Sequence, residues 1–314
     1  MMRSRVLITG VTGFSGPYLA EFLLKQGLEV WGTGLPSQEG NLSPGVILRH
    51  ADINRIDQIL DLLEECRPES IYHLAAQSSV GRSWQEPAET MRVNLEGSIN
   101  LLEALRKINK ACRVLLVGSG EEYGPVSQDE LPINESRRPD PKNPYSLSKF
   151  FQSMIGLQYF NNYKMDIYLA RAFNHTGPGQ GRGFVVPDFA SQIAAIEAEQ
   201  QEPVIRVGNL AARRDFSDVR DVARAYWSIM EEGTPGVIYN VGSGRAIAIQ
   251  EILDYLLYLS PVKIKVEIDP DKFRPVDVPV LYGDISRLRA DTNWRPEIPL
   301  EKTLKDTLEY WRKK

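Results

Sequence analysis

Two cysteines, no surplus of basic residues and no long apolar run set the first limits on this chain of 314 residues. Cys66 and Cys112 stand far apart with no CxxC spacing, so neither a disulfide framework nor a zinc site follows from them, and no metal is expected. Lysine and arginine number 37 against 41 acidic residues, a formal charge of −4, and no basic surface advertises nucleic acid. An anionic ligand must therefore be met by local arginines, not by a field from the whole molecule. No stretch approaches the ~18 apolar residues of a membrane span, and the run VLIT after Met-Met-Arg-Ser-Arg is too short for a signal peptide. Asn174-His175-Thr176 has the form of a glycosylation sequon, but nothing else in the sequence suggests secretion. Internal repeats and low-complexity tracts are also missing. A soluble, cytoplasmic protein with neither membrane nor nucleic-acid partners is expected.

What is present is an ordinary globular composition, 42% hydrophobic and 25% charged, in a chain long enough for a large core. Short β-branched runs alternate with longer helical patterns through the first half. Strands are expected at 5–10, 29–34, 70–75, 113–119 and 166–173, with helices at 16–26, 55–66, 93–108 and 144–162 between them. That rhythm implies βαβ crossovers and a parallel sheet, and the near-continuous apolarity of VLIT and VLLV fits strands covered on both faces. After residue 174 glycine and proline cluster, yet GVIYNVGSG (236–244) reads as another buried strand. The expected fold is α/β: a Rossmann-type doubly wound sheet formed by 1–174 plus 236–261, with a smaller α/β lobe formed by 175–235 plus 262–314.

The first strand ends in TGVTGFSG, with Gly10, Gly13 and Gly16 around Phe14 and Ser15. A tight strand-to-helix turn whose backbone approaches a diphosphate needs glycines at this spacing, and the helix N-terminus favours the negative charge. The cofactor is expected to be NADP(H) or NAD(H). An acidic residue about 20 positions on would select NAD and an arginine NADP, but the second strand runs into Gly32-Thr33-Gly34-Leu35-Pro36-Ser37, which offers neither. Thr33 and Ser37 can bond either ribose form, and Asp52 with Ile53 at the next strand-like edge are candidates for adenine contact.

The segment NPYSLSKFF (143–151) places Tyr145 and Lys149 four apart at the start of a helix, on one face. A free phenol has pKa near 10, and a fixed ammonium beside it would lower that value and make it a better proton donor to a developing alkoxide. The lysine can also hold a nicotinamide ribose. Alone, this pair is more often one half-buried tyrosine and one solvated lysine. Ser119 changes the weighing: it ends the strand RVLLVGS at the carboxyl edge, where ligands bind in such sheets, and its hydroxyl can orient a carbonyl oxygen.

In this order TGxxGxxG, HLAA (73–76), Asn94 in VNLEG, Ser119 and YxxxK resemble the extended short-chain dehydrogenase/reductase family over essentially the whole chain. The resemblance implies that Ser119, Tyr145 and Lys149 form the catalytic set with Asn94 as a helper. It also implies that Leu74, Ala75 and Ala76 touch cofactor. The second half is similar to the GDP-mannose branch of that family, in FNHTGPGQ (173–180), VGNL (207–210), RRDFSDVRD (213–221) and FRPVDVP (273–279). By that likeness Asn174, Arg214, Arg274 and Asp277 meet the nucleotide sugar, with Ser79, Val186 and Gly208 as further candidates. Guanidinium forks suit phosphate, although each arginine alone could be a surface ion pair with Asp215, Asp218 or Asp277.

Within that branch, dehydratases carry a carboxylate base two residues after a threonine. Glu121 occupies the base position here, but Ser119 stands for the threonine, and GSGEEYG with the compact length resembles the reductases. Gly120 and Leu35 depart from the serine and arginine those reductases would carry. The resemblance implies reduction of the C4 keto group of GDP-4-keto-6-deoxy-D-mannose to GDP-D-rhamnose. A dehydratase or epimerase of nucleotide sugars is the alternative, and a non-catalytic NADP-binding regulator a more distant one. Surplus apolar residues on helices 93–108 and 144–162, together with the resemblance, suggest a homodimer.

Overall fold

A computed structural model of the chain describes residues 4–36, 42–108, 111–273 and 278–314. Strands β1 (Arg5–Thr9), β2 (Glu29–Gly34), β3 (Ile47–His50), β4 (Ser70–His73), β5 (Arg113–Ser119) and β6 (Ile167–Ala172) form one sheet. The next four strands in the chain lie outside it: β7 (Asn174–Thr176), β8 (Val204–Val207), β9 (Arg213–Arg214) and β10 (Phe216–Asp218). The chain then returns to the sheet edge as β11 (Ile238–Val241). The order is β11-β6-β5-β4-β1-β2-β3 with every pairing parallel, so the strand order reverses at β1. A ligand crevice opens at the carboxyl ends of strands on either side of such a reversal.

The helices, in chain order, are α1 (Gly16–Lys25), α2 (Ile56–Cys66), α3 (Val80–Gln85), α4 (Pro87–Met91), α5 (Gly97–Ile108) and α6 (Pro144–Tyr163). They continue as α7 (Val185–Glu197), α8 (Val219–Glu232), α9 (Ile249–Tyr258), α10 (Ser286–Thr292) and α11 (Leu300–Arg312). Successive side chains of a strand point to opposite faces, and the two cores show it. Val6 and Ile8 pack with Leu19 and Leu23 of α1 and Tyr226 and Ile229 of α8 on one side. Leu7 packs with Leu62 and Leu63 of α2 and Leu101, Leu102 and Leu105 of α5 on the other. Covered on both faces, these strands are the apolar runs visible in the sequence.

A second lobe gathers α7, α9 and α11 over β8, which pairs with β13 (Lys265–Ile268). Beside it β9 lies between β12 (Ile247–Ala248) and β14 (Val280–Leu281). Two helices join cores other than those the expected boundaries imply. The apolar face of α8 (Val222, Tyr226, Ile229) closes the sheet core, while Ile252, Leu253 and Leu256 of α9 bury against the lobe. Chain proximity to a strand does not decide which core a helix can reach.

Helix α6 meets the sheet with a mixed face: Ser146, Ser148, Lys149, Gln152 and Ser153 are buried along its first half, and Tyr159 with Ile155, Leu157 and Phe160 joins the core in its second. Asn143 caps its start by accepting the Ser146 N–H (2.8 Å), with Pro144 at the first turn. Gly156 lets it sit close to the sheet, since a Cβ there would fall 2.6 Å from Leu116 Cδ1. The helix expected at 93–108 begins as a π-helical turn, Arg92–Glu96, before α5. Among the described residues no helix is long and apolar enough to cross a membrane.

Candidate active site

The glycine turn between β1 and α1 is as tight as its sequence requires. Gly10 has φ +70°, and a Cβ there would stand 2.7 Å from the Ala75 backbone, so only glycine lets the turn press against the end of β4. At Gly16 a Cβ would meet the Val11 carbonyl oxygen at 2.3 Å, and Gly13 donates its N–H to the Gly10 carbonyl (3.0 Å). The first turn of α1 carries no acidic residue, leaving its positive end open to an anion. This cradle fits a dinucleotide diphosphate.

Around it the β-strand ends are stitched together. Thr9 Oγ1 bonds His73 Nδ1 (2.8 Å) and accepts the Ala75 N–H (3.2 Å), while His73 Nε2 bonds Ser98 Oγ (3.0 Å). Burial pushes His73 down to about 3, so it is neutral and structural. Leu74, Ala75 and Ala76 keep part of their surface open beside the glycine turn. Thr33 is buried, with its hydroxyl 3.4 Å from the Ala51 carbonyl. Asp52 Oδ1 accepts the Asn54 N–H and side-chain amide. Ile53 is core, filling the space above Gly97, where a Cβ would collide with it at 2.2 Å.

Asn94 is buried and fully engaged. Its Oδ1 accepts the Gln77 N–H (2.8 Å), and its Nδ2 donates to the Gln77 carbonyl (3.0 Å) and to Ser148 Oγ (2.8 Å), which in turn donates to the Tyr145 carbonyl (2.7 Å). The residue braces the loop after β4 to α6. Ser79, in that loop, caps α3 by accepting the Arg82 N–H (3.2 Å).

Ser119, the last residue of β5, faces Tyr145. A hydrogen bond from its hydroxyl favours the phenolate, but burial outweighs it and the nearby charges of Glu121 and Glu122 oppose it too, so the phenol is pushed up to about 12. Lys149 is not among the groups acting on it. The ammonium instead donates to the Val117 carbonyl and to Gln152 Oε1, both at 2.9 Å, and burial lowers it to about 8. The expected depression of the phenol by the lysine is thus replaced by a protonated phenol and a lysine folded against β5. Glu121 is half-buried, and its carboxylate has no hydrogen-bond or ion-pair partner among the described residues.

Of the second-half candidates, Asn174 lies on β7 opposite Phe216 of β10, and Arg214 is buried on β9. Gly208 permits a close approach, since a Cβ would fall 2.8 Å from the Lys272 carbonyl oxygen. Val186 is only 1% exposed and belongs to the lobe core. Arg274, Asp277 and Ser37 lie outside the described residues.

Three participants were not singled out from the sequence. His175 Nε2 bonds Ser15 Oγ (2.9 Å), its ring stacks on Phe14, and Tyr18 reaches the Pro178 carbonyl (2.6 Å), so the glycine turn is clamped by the FNHTGPGQ segment. Glu122, wholly buried, accepts from the Ser119 N–H (2.9 Å), Ser153 Oγ (3.2 Å) and Arg171 Nε (2.8 Å). Asp215 accepts the Ser243 and Gly244 N–H groups, yet burial still raises it to about 6.

A glycine-turn Rossmann sheet, with a serine ending β5 and a tyrosine and lysine on the helix packed beside it, defines an extended short-chain dehydrogenase/reductase. The family model for GDP-mannose 4,6 dehydratase matches residues 7–307, and the chain belongs to that family. GDP-6-deoxy-D-mannose reductase of Pseudomonas aeruginosa is 34% identical over 99% of this chain and 98% of that protein. GDP-mannose 4,6-dehydratase of Yersinia enterocolitica is 30% identical over 95% of this chain and 91% of its own length. Among solved structures, RMD from Pseudomonas aeruginosa complexed with NADPH superposes with TM-score 0.86 at 32% identity, covering 99% of this chain and 98% of that one.

Proposed function

We propose that this protein is a cytoplasmic, homodimeric reductase that converts the C4 keto group of GDP-4-keto-6-deoxy-D-mannose to the alcohol of GDP-D-rhamnose, using NADPH or NADH. The observation that carries this reading is the position of Tyr145 beside the Ser119 hydroxyl at the carboxyl end of β5, where one phenol and one hydroxyl converge on the space a carbonyl oxygen would take. A ketone reduction consumes one hydride and one proton. Tyr145 supplies that proton, with the Ser119 hydroxyl beside it to hold the oxygen that receives it. The similarity to the Pseudomonas reductase supports the same direction.

When bound, the reduced nicotinamide supplies the hydride. In this proposal Gly10, Gly13 and Gly16 receive the diphosphate, and Ser119 donates a hydrogen bond that orients the carbonyl oxygen. Tyr145 passes its proton to that oxygen as the C–O bond becomes an alkoxide. Lys149 holds the nicotinamide ribose, and Arg214 meets the nucleotide phosphates. Phe151 and Met154 are 40% and 37% exposed on α6, and the proposed dimer covers them.

One observation favours the dehydratase alternative: the partnerless carboxylate of Glu121 lies close enough to raise the pKa of Tyr145, where it could take a proton from C5. A paired assay separates the two. Oxidation of NADPH or NADH by freshly made GDP-4-keto-6-deoxy-D-mannose, with GDP-mannose left unchanged, supports the reductase. A 4-keto sugar formed from GDP-mannose without net change of cofactor would overturn it.

A further inference from the structure

A cavity of about 420 Å³ opens where the turn after β11 meets the start of α10, lined among others by Ser243, Arg245, Asp284, Ser286, Arg289 and Arg295. None of Ser119, Glu121, Tyr145, Asn174 or Arg214 lines it. Most arginines elsewhere among the described residues are paired with a carboxylate, as in Arg5–Glu29, Arg113–Glu231, Arg224–Asp221, Arg287–Glu135 and Arg312–Glu197. Arg245, Arg289 and Arg295 have no carboxylate partner among the described residues, yet all three line this one cavity. Its single acid, Asp284, already accepts the Ser286 N–H (2.8 Å). Three guanidiniums face one lining carboxylate, and with the Asp215 carboxylate buried behind the wall they still leave a local excess of positive charge in a protein whose formal charge is −4.

The wall is firm. The Ser243, Gly244 and Gly283 N–H groups all donate to the buried Asp215 carboxylate, at 2.6, 3.1 and 3.4 Å, which fixes the turn that carries Arg245 and the segment leading into α10. Guanidinium forks match the oxygens of phosphate and carboxylate groups, and a cavity of this size admits a small metabolite but no folded partner. We propose that this cavity is a second anion site, separate from the nucleotide-sugar cleft, which takes a compact oligoanion: a diphosphate or phosphate ester, or a tricarboxylate.

The test titrates pyrophosphate, and in a parallel arm citrate, into the protein saturated with NADPH and GDP, by isothermal calorimetry. Binding of GDP and NADPH is measured beforehand, so a failure of the proposed function is seen separately. One further binding event is expected, at least tenfold weaker in the triple variant R245Q/R289Q/R295Q and weaker as salt rises. All three arginines are exposed, so the variant should fold, and its turnover without added anion should stay within twofold of the parent. Binding in the pyrophosphate arm alone assigns the phosphate class, and in the citrate arm alone the carboxylate class. No heat in either arm, or equal affinity in the triple variant, would overturn the proposal.

Discussion

Glu122→Gln should cost the protein about 3–5 kcal/mol, because it strips a buried guanidinium of its counter-charge. The Arg171 and Glu122 side chains are 2% and 0% exposed, so water cannot replace the lost carboxylate. The Tyr123 ring lies 4.7 Å from the guanidinium, but a cation–π contact of about 2 kcal/mol does not offset an uncompensated buried charge. In urea and in heating the single variant should unfold earlier, with Tm lower by on the order of 10 °C. The double variant Glu122→Gln/Arg171→Met should recover most of that loss, since both charges leave together. A second readout separates positioning from mere stability. The Glu122 charge supports the Lys149 ammonium against burial, so removing it, and leaving Arg171 unpaired nearby, should lower the lysine pKa from about 8. Of the other groups around the lysine, His73 stays neutral and Tyr145 stays protonated. The alkaline limb of kcat/KM should therefore move to lower pH. A stability loss under about 1 kcal/mol, together with an unshifted pH profile, would refute the reasoning.

Tyr145→Phe should lower kcat by roughly 10²–10⁴ while NADPH affinity changes little, as read by stopped-flow turnover and fluorescence titration. Lys149 has a folded pKa of about 8, below its ordinary 10.5, so between those values the unfolded chain binds more protons and stability rises with pH. The stability of the wild type relative to Lys149→Met should thus grow by about 3 kcal/mol from pH 8 to 10.5, and denaturation midpoints that keep a constant gap would contradict it. Gly10→Ala forces a Cβ to within 2.7 Å of Ala75 at φ +70°, and should reduce both Tm and dinucleotide binding. Arg214→Gln should raise KM for the nucleotide sugar about tenfold with kcat nearly kept, and an unchanged KM would remove Arg214 from the site.

The sheet was legible because strands buried on both faces must read as unbroken apolar runs, which is how VLIT and VLLV stand out. The glycine turn was legible because φ +70° and backbone contact at Gly10 exclude every other residue. Tyr145 and Lys149 were legible as a pair because helical spacing is local. Their electrostatics were not: the direction of the lysine depends on Val117, 32 residues away, and on how deeply α6 settles on β5.

These local rules, turn geometry, periodicity and i, i+4 spacing, act over a few residues, so the amino-acid sequence by itself determined the α/β class, the glycine turn and the pairing of Tyr145 with Lys149, while Ser119 joined them through the family resemblance. The tertiary structure alone decided that Arg171, inside the apolar-looking IYLARA, holds a buried charge beside β5. Its partner Glu122 is 49 residues distant and reaches it only once β5 and β6 pair with Gly118 opposite Arg171. The same holds for the clamp of His175 on Ser15, 160 residues apart, and for the exchange of α8 and α9 between cores. Such contacts follow from topology, which brings together groups that no sequence window contains.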